Sequence, residues 1–272
     1  MTKTILITGA SSGIGKATAR LFADRDWNVV ATMRNPEDGA DLAGDNTLVT
    51  RLDLQETASI AEAVSAGQDR FGTIGVLLNN AGFGAYGPLE ATPMETIRRQ
   101  FEVNFFGLIE ATKAALGGMR AQKSGTIINI SSVGGRMTYP LGTLYHSSKW
   151  AVEGLSEALH YELWPLGVRV KIVEPGGVKT DFGGRSFVFT SDPNLKEYQP
   201  MVDTMTSVME NMDTSEHQDP AEVAEVIWSA ATDGTDQLRY ISGDGAVELL
   251  GGRYSTEQDE AFLAGMRNSF GL

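Results

Sequence analysis

Tyr145 and Lys149 stand four residues apart in the segment Tyr145-His146-Ser147-Ser148-Lys149. On a helix that spacing puts both side chains on one face. A phenol of ordinary pKa, about 10, is a poor base at neutral pH. A lysine ammonium a few ångströms away favours the phenolate and lowers that value. The pair therefore suits proton delivery to an alkoxide or proton removal from an alcohol. Ser132 lies thirteen residues earlier, closing the apolar run Ile128-Asn129-Ile130-Ser131-Ser132. A hydroxyl there can bond a carbonyl oxygen and stabilise the charge that grows on it; turn-making is the bland alternative. His146, beside the tyrosine, is expected on the helix surface.

A second chemical feature opens the chain. Thr8-Gly9-Ala10-Ser11-Ser12-Gly13-Ile14-Gly15 joins an apolar run to a helical one. Glycines let the backbone turn tightly and let its N–H groups approach a pyrophosphate at a helix N-terminus. The spacing is G-x-x-x-G-x-G, which differs from the common dinucleotide fingerprint. The next apolar run ends Val30-Ala31-Thr32-Met33-Arg34-Asn35, with no acid before Glu37. An acid there would hold a ribose 2′-hydroxyl, whereas Arg34 suits a 2′-phosphate, which favours NADP over NAD.

These residues need a frame, and the hydrophobic pattern supplies it. Strands are expected at 4–8, 28–33, 47–52, 74–78, 126–130, 168–173 and near 239–242. Helices are expected at 16–25, 59–71, 94–119, 144–163, 221–231 and near the C-terminus. Such alternation predicts an α/β fold: a Rossmann-type doubly wound parallel sheet with helices on both faces. No linker or composition break divides residues 1–272, so one domain is expected. The alternation breaks at about 176 and resumes at 220. The intervening 176–219 reads as a lid over the substrate, with Met201, Met205, Val208, Met209 and Met212 at the spacing of a short amphipathic helix.

Composition narrows the partners. The net charge of −13 argues against nucleic acid. No apolar run approaches a membrane span, and a cytoplasmic location is expected. The absence of cysteine removes thiolate ligands, disulfides and cysteine nucleophiles together. His146, His160 and His217 stand in no metal-ligand spacing, so no metal is expected.

Taken jointly, the motifs resemble the compact branch of the short-chain dehydrogenase/reductase family. The matching features are residues 8–15, Asn79-Asn80-Ala81-Gly82, Asn104, Ser132, Tyr145 with Lys149, and Pro175-Gly176 followed by Thr180. The resemblance implies that Ser132 orients a carbonyl, Tyr145 is the acid/base, Lys149 holds the nicotinamide ribose, and Asn104 positions a water in a proton relay. It implies further that Gly9, Ser11, Ser12, Gly13, Ile14 and Gly15 line the pyrophosphate, and that Asp53 and Leu54 lie by the adenine. Asn80, Ala81 and Gly82 would flank the adenine-side ribose, while Pro175, Gly176, Val178 and Thr180 would meet the nicotinamide. Asp53 equally suits a cap of the following helix. In one respect the chain departs from some NADP-preferring members: Ser12 stands where they carry a basic residue, leaving Arg34 alone for the phosphate.

Residues 31–37 and 238–240 resemble the 17β-hydroxysteroid and retinol dehydrogenase-like members. That implies a rather apolar carbonyl or secondary alcohol, received by Phe83, Tyr139 and the lid. The expected activity is NADP(H)-dependent interconversion of carbonyl and alcohol. Alternatives are an NAD-dependent alcohol dehydrogenase and a nucleotide-sensing protein without catalysis; a sugar-nucleotide epimerase would need a larger C-terminal domain than follows Pro175. The resemblance also implies a homodimer or homotetramer pairing helices 94–119 and 144–163.

Overall fold

The computed structural model describes residues 3–184, 186–211, 213–215, 217–255 and 259–270. Five strands precede the segment 132–149: β1 (Thr4–Thr8), β2 (Asn28–Met33), β3 (Thr47–Arg51), β4 (Val76–Asn79) and the short β5 (Gly84–Tyr86), with β6 (Gly125–Ile130) leading into it. After it come β7 (Val168–Pro175), β8 (Phe187–Phe189) and β9 (Arg239–Ser242). The helices are α1 (Gly13–Asp24), α2 (Thr57–Phe71), α3 (Met94–Phe101), α4 (Gly107–Ala121), α5 (Thr143–Leu163), α6 (Gln199–Glu210), α7 (Pro220–Thr232), α8 (Asp244–Ser255) and α9 (Asp259–Ser269). Among the described residues no helix is long and apolar enough to cross a membrane.

Seven strands form one sheet in the order β3-β2-β1-β4-β6-β7-β9, and every pairing is parallel. Alternate side chains serve opposite faces, as strand geometry requires. Ile5 and Ile7 pack with Phe22 of α1 and Val223 and Ile227 of α7, whereas Leu6 packs with Val64 of α2, Met119 of α4 and Leu163 of α5. Both faces are thus apolar and covered, which explains why the strands read as nearly continuous hydrophobic runs.

The helix ends follow local chemistry. α7 begins with a capping box: the Asp219 carboxylate accepts from the Ala221 N–H at 2.8 Å and Glu222 accepts from the Asp219 N–H at 2.9 Å. α1 has no such cap, because the Ser12 side chain makes no capping bond and no acid occupies the first turn. Its N-terminal N–H groups are left facing the glycine loop.

Two expectations are revised. The helix expected over 94–119 is two helices separated by a π-helical turn over Glu102–Phe106. The segment 176–219 holds α6, as its methionine spacing foretold, and also β8, which pairs with β5 as a two-stranded parallel ribbon. Val202 and Met205 are the buried side of α6, packed with Leu141; Met212 lies outside the described residues.

Candidate active site

The sheet order reverses on either side of β1, and the carboxyl ends of β1 and β4 therefore border the crevice where α/β folds receive ligands. The glycine loop sits there under tight control. Gly9 has φ +72° and Gly13 φ +53°, values that favour glycine. A Cβ on Gly15 would stand 2.3 Å from the Gly9 carbonyl oxygen, and one on Gly9 would stand 2.9 Å from the Ala81 Cβ. Asn80 fastens the loop: its Nδ2 donates to the carbonyls of Thr8 and Gly9 at 2.9 and 3.1 Å. The Thr8 hydroxyl in turn accepts from the N–H groups of Asn80 and Ala81 at 3.0 and 3.1 Å. Across the groove, a Cβ on Gly13 would stand 3.1 Å from Thr180 Cγ2. Loop, Asn80-Ala81 and Thr180 are thus brought to one place.

The outer residues arrange themselves around that groove. Arg34 follows β2, is exposed, and has no ion-pair partner among the described residues. Asp53 accepts from the Gln55 N–H at 3.0 Å and closes a turn; the cap position of α2 belongs to Glu56. Leu54 is buried against Gly107. Gly82 faces the Asn104 amide, Pro175 ends β7, and the Gly176 N–H donates to the Ser242 carbonyl at 3.2 Å. Val178 bridges to Gln218. Ser11, Ser12 and Ile14 line the half-buried rim of the loop.

The catalytic candidates meet where β6 ends and α5 begins. Ser132 stands beside Tyr145, close enough for its hydroxyl to oppose the effect of burial on the phenol, and accepts the Gly134 N–H at 3.0 Å. Lys149 is buried, and its Nζ donates to the Ile130 carbonyl at 2.8 Å, 5.9 Å from the centre of the Tyr145 ring. Burial pushes the Tyr145 phenol up, opposed by the Ser132 hydroxyl. Burial likewise pushes Lys149 down to about 8, with Glu153 one turn away opposing it. In this geometry burial, more than the lysine charge, sets the phenol. Behind them Glu174, also buried, is pushed up to about 7 by burial and by Glu153, against Arg136 and Arg239, each 3.4 Å from it.

Asn104 sits in the π-helical turn, a geometry that recurs at functional sites. Its Oδ1 accepts from the Phe83 N–H at 3.0 Å, and its Nδ2 donates to the Phe83 carbonyl at 2.9 Å and the Ser148 hydroxyl at 3.2 Å. Both amide protons are therefore committed, so this side chain has no proton left to donate to a water and can only accept one at the second lone pair of Oδ1. Gln100, buried one turn earlier, repeats the pattern on Ala85 and Phe83. Sequence reasoning missed Gln100, because an exposed glutamine on a helix looks the same in sequence.

Phe83 belongs to a buried cluster with Ala85 and Leu144 and is not a wall of the cleft. The ring that faces Tyr145 is Tyr86, stacked at 5.6 Å, with Phe182 edge-on at 5.7 Å and Phe187 against Tyr86 at 5.1 Å. His146 is also not on the helix surface: it is 1% exposed and lines a cleft of about 760 Å³ with Leu89, Tyr139, Leu141, Trp150 and Met201.

The short chain dehydrogenase family model matches residues 3–187. An uncharacterized oxidoreductase of Schizosaccharomyces pombe is 42% identical over 246 residues, covering 88% of this chain and 100% of the relative. The crystal structure of a short-chain dehydrogenase from Streptomyces avermitilis superposes with a TM-score of 0.84 at 33% identity, covering 98% of this chain and 97% of that one. A short chain dehydrogenase from Burkholderia cenocepacia in complex with NADP gives 0.77 at 25% identity, covering 98% and 99%.

Proposed function

The chain belongs to the short chain dehydrogenase family, and on that premise we propose that it is an NADP(H)-dependent reductase of apolar ketones. The observation that carries the reading is the meeting of Ser132, Tyr145 and buried Lys149 at the carboxyl edge of the parallel sheet, with Lys149 fastened to the Ile130 carbonyl at 2.8 Å, 5.9 Å from the Tyr145 ring centre. The residues present fit a dinucleotide. The cradle formed by Gly9 and Gly15 is one that a Cβ would fill, and the uncapped, acid-free start of α1 favours a pyrophosphate. Arg34, exposed and without a carboxylate partner among the described residues, suits a 2′-phosphate.

When bound, NADPH supplies the hydride. Ser132, whose oxygen already accepts the Gly134 N–H, keeps its own proton for the carbonyl oxygen of the substrate. Tyr145, pushed up by burial, holds its proton at neutral pH and gives it to the oxygen as negative charge develops there. Lys149, with one proton spent on the Ile130 carbonyl, has two more for a ribose hydroxyl and for the field that supports the phenol. Tyr86, Phe182 and Phe187 exclude water and offer ring faces to an apolar substrate.

Titration with NADPH and NADH, followed by nicotinamide fluorescence, and reduction of 2-tetralone test this reading together. NADPH should bind more tightly than NADH, and Arg34→Ala should weaken NADPH about tenfold while leaving NADH within about twofold. A wild-type preference for NADH defeats the cofactor assignment.

The same reading predicts self-association. Phe106, Trp150, Tyr161 and Trp164 are 49%, 47%, 68% and 53% exposed on or beside α4 and α5, the helices that a partner subunit would cover. Light scattering behind size exclusion should return a dimer or tetramer; a monodisperse monomer at micromolar concentration rejects it.

A further inference from the structure

We infer that His146 is a positioning residue: as the neutral imidazole protonated on Nδ1, it ties the Ser132 turn to the cleft wall on which the lid helix rests. The inference rests on the proposed role of Ser132. The tautomer follows from geometry. Nε2 accepts the Tyr139 N–H at 3.0 Å, and an amide can only donate, so Nε2 carries no proton. Nδ1 therefore holds it and donates to the Gly134 carbonyl, 2.9 Å away. Gly134 passes the restraint on, since its N–H donates to Ser132 Oγ at 3.0 Å and fixes where the hydroxyl points.

The other nitrogen governs the wall. Tyr139 begins a tight bend in which the Gly142 N–H donates to its carbonyl at 3.3 Å and Leu141 takes φ +58°. The Leu141 carbonyl accepts the Gly87 N–H at 2.8 Å, and its side chain packs on Val202 and Met205 of α6. The imidazole fills the gap between two glycines so closely that a Cβ on Gly134 would stand 2.7 Å from Nδ1 and one on Gly142 2.5 Å from Nε2.

The groups around the ring do not favour a cation. It meets the phenols of Tyr86 on β5, Tyr139 on the bend and Tyr145 on its own helix, at 6.0, 5.7 and 5.6 Å between ring centres. Arg267 of α9 and Tyr198 line the same cleft, the latter bonded to Glu90 at its lip. Burial pushes the imidazole down, and only the Gly134 carbonyl opposes it. The folded value thus lies below the unfolded value of about 6.5. The contribution of this bond is present above that pH and is lost as pH falls through the folded value, when an Nε2–H would confront the Tyr139 N–H.

The test compares wild type with His146→Phe and His146→Gln from about pH 5 to about pH 8, reading kcat and KM for 2-tetralone, the NADPH Kd, and amide exchange at Tyr139 corrected for its intrinsic rate. His146→Phe should lower kcat/KM about ten- to a hundredfold, with NADPH Kd within about twofold. His146→Gln, whose amide oxygen can still accept the Tyr139 N–H, should recover most of that loss. Wild-type KM should rise toward acid, while KM of His146→Gln stays flat. Tyr139 exchange should speed up in His146→Phe; if that variant does not fold, the pH response of His146→Gln decides. Unchanged kinetics and unchanged Tyr139 exchange overturn the inference. A wild type that reduces no ketone defeats the functional reading instead, and the Tyr139 exchange still judges His146.

Discussion

Replacing Tyr145 by phenylalanine lowers turnover by about 10²–10⁴-fold, the share of rate that a positioned acid/base supplies, and leaves NADPH affinity nearly intact. The substitution removes one oxygen and retains the ring, so the stacking on Tyr86 and the edge contact with Phe182 persist. Ser132 keeps the Gly134 N–H that holds its hydroxyl in place, so the fold is not threatened. Steady-state kinetics with NADPH and 2-tetralone, beside a fluorescence titration of the cofactor, separate the two effects. Turnover within about threefold of wild type would remove Tyr145 from the chemistry.

Gly15→Ala should be the most disruptive single methyl in the nucleotide region. Its Cβ would enter space held by the Gly9 carbonyl at 2.3 Å and by Asn80 Nδ2 at 2.6 Å. Neither can retreat freely, since Asn80 is itself bonded to the Thr8 and Gly9 carbonyls. Overpacking together with a lost bond costs about 2–4 kcal/mol, and the displaced loop should weaken NADPH at least about tenfold. Gly117→Ala in α4 is the control, because nothing lies within 4 Å of its Cβ. There the better helix former should stabilise by about 0.5–1 kcal/mol. Urea melts of both variants, read against wild type, check the contrast; equal stabilities would show that the loop yields more easily than its bonds suggest.

The strands and the Tyr145–Lys149 spacing on one helix were legible in the sequence for the same reason: each is dictated by residues close together in the chain. The apolar runs of β1, β2 and β9 appear in the structure with the bounds their alternation predicts, and the turn residues that close them carry the site. What escaped was made by distant segments. The break at Asn104 lies inside a pattern whose apolar spacing continues through it, and the groups that hold its amide in the π-helical turn, Phe83 and Ser148, come from outside the helix. His146 reads as a surface position because helix periodicity knows nothing of the 139–142 bend that buries it. Tyr86 and β5 were invisible because three residues are too few for a strand pattern; only the pairing with β8 reveals them.

That small ribbon separates two properties usually entangled in an enzyme: being shut, and fitting a particular molecule. β5 and β8 are joined by parallel strand pairing, and their main-chain bonds are indifferent to side-chain identity. Val188 points toward the cluster of Phe83, Ala85 and Leu144, while its neighbours Phe187 and Phe189 point the other way. Under the proposed function, inheritance could therefore rewrite alternate positions of one short strand without unmaking the ribbon, so that mutational drift would explore new substrates from a scaffold that stays assembled. A library varied at Phe187 and Phe189 with Val188 held constant is the laboratory form of that path.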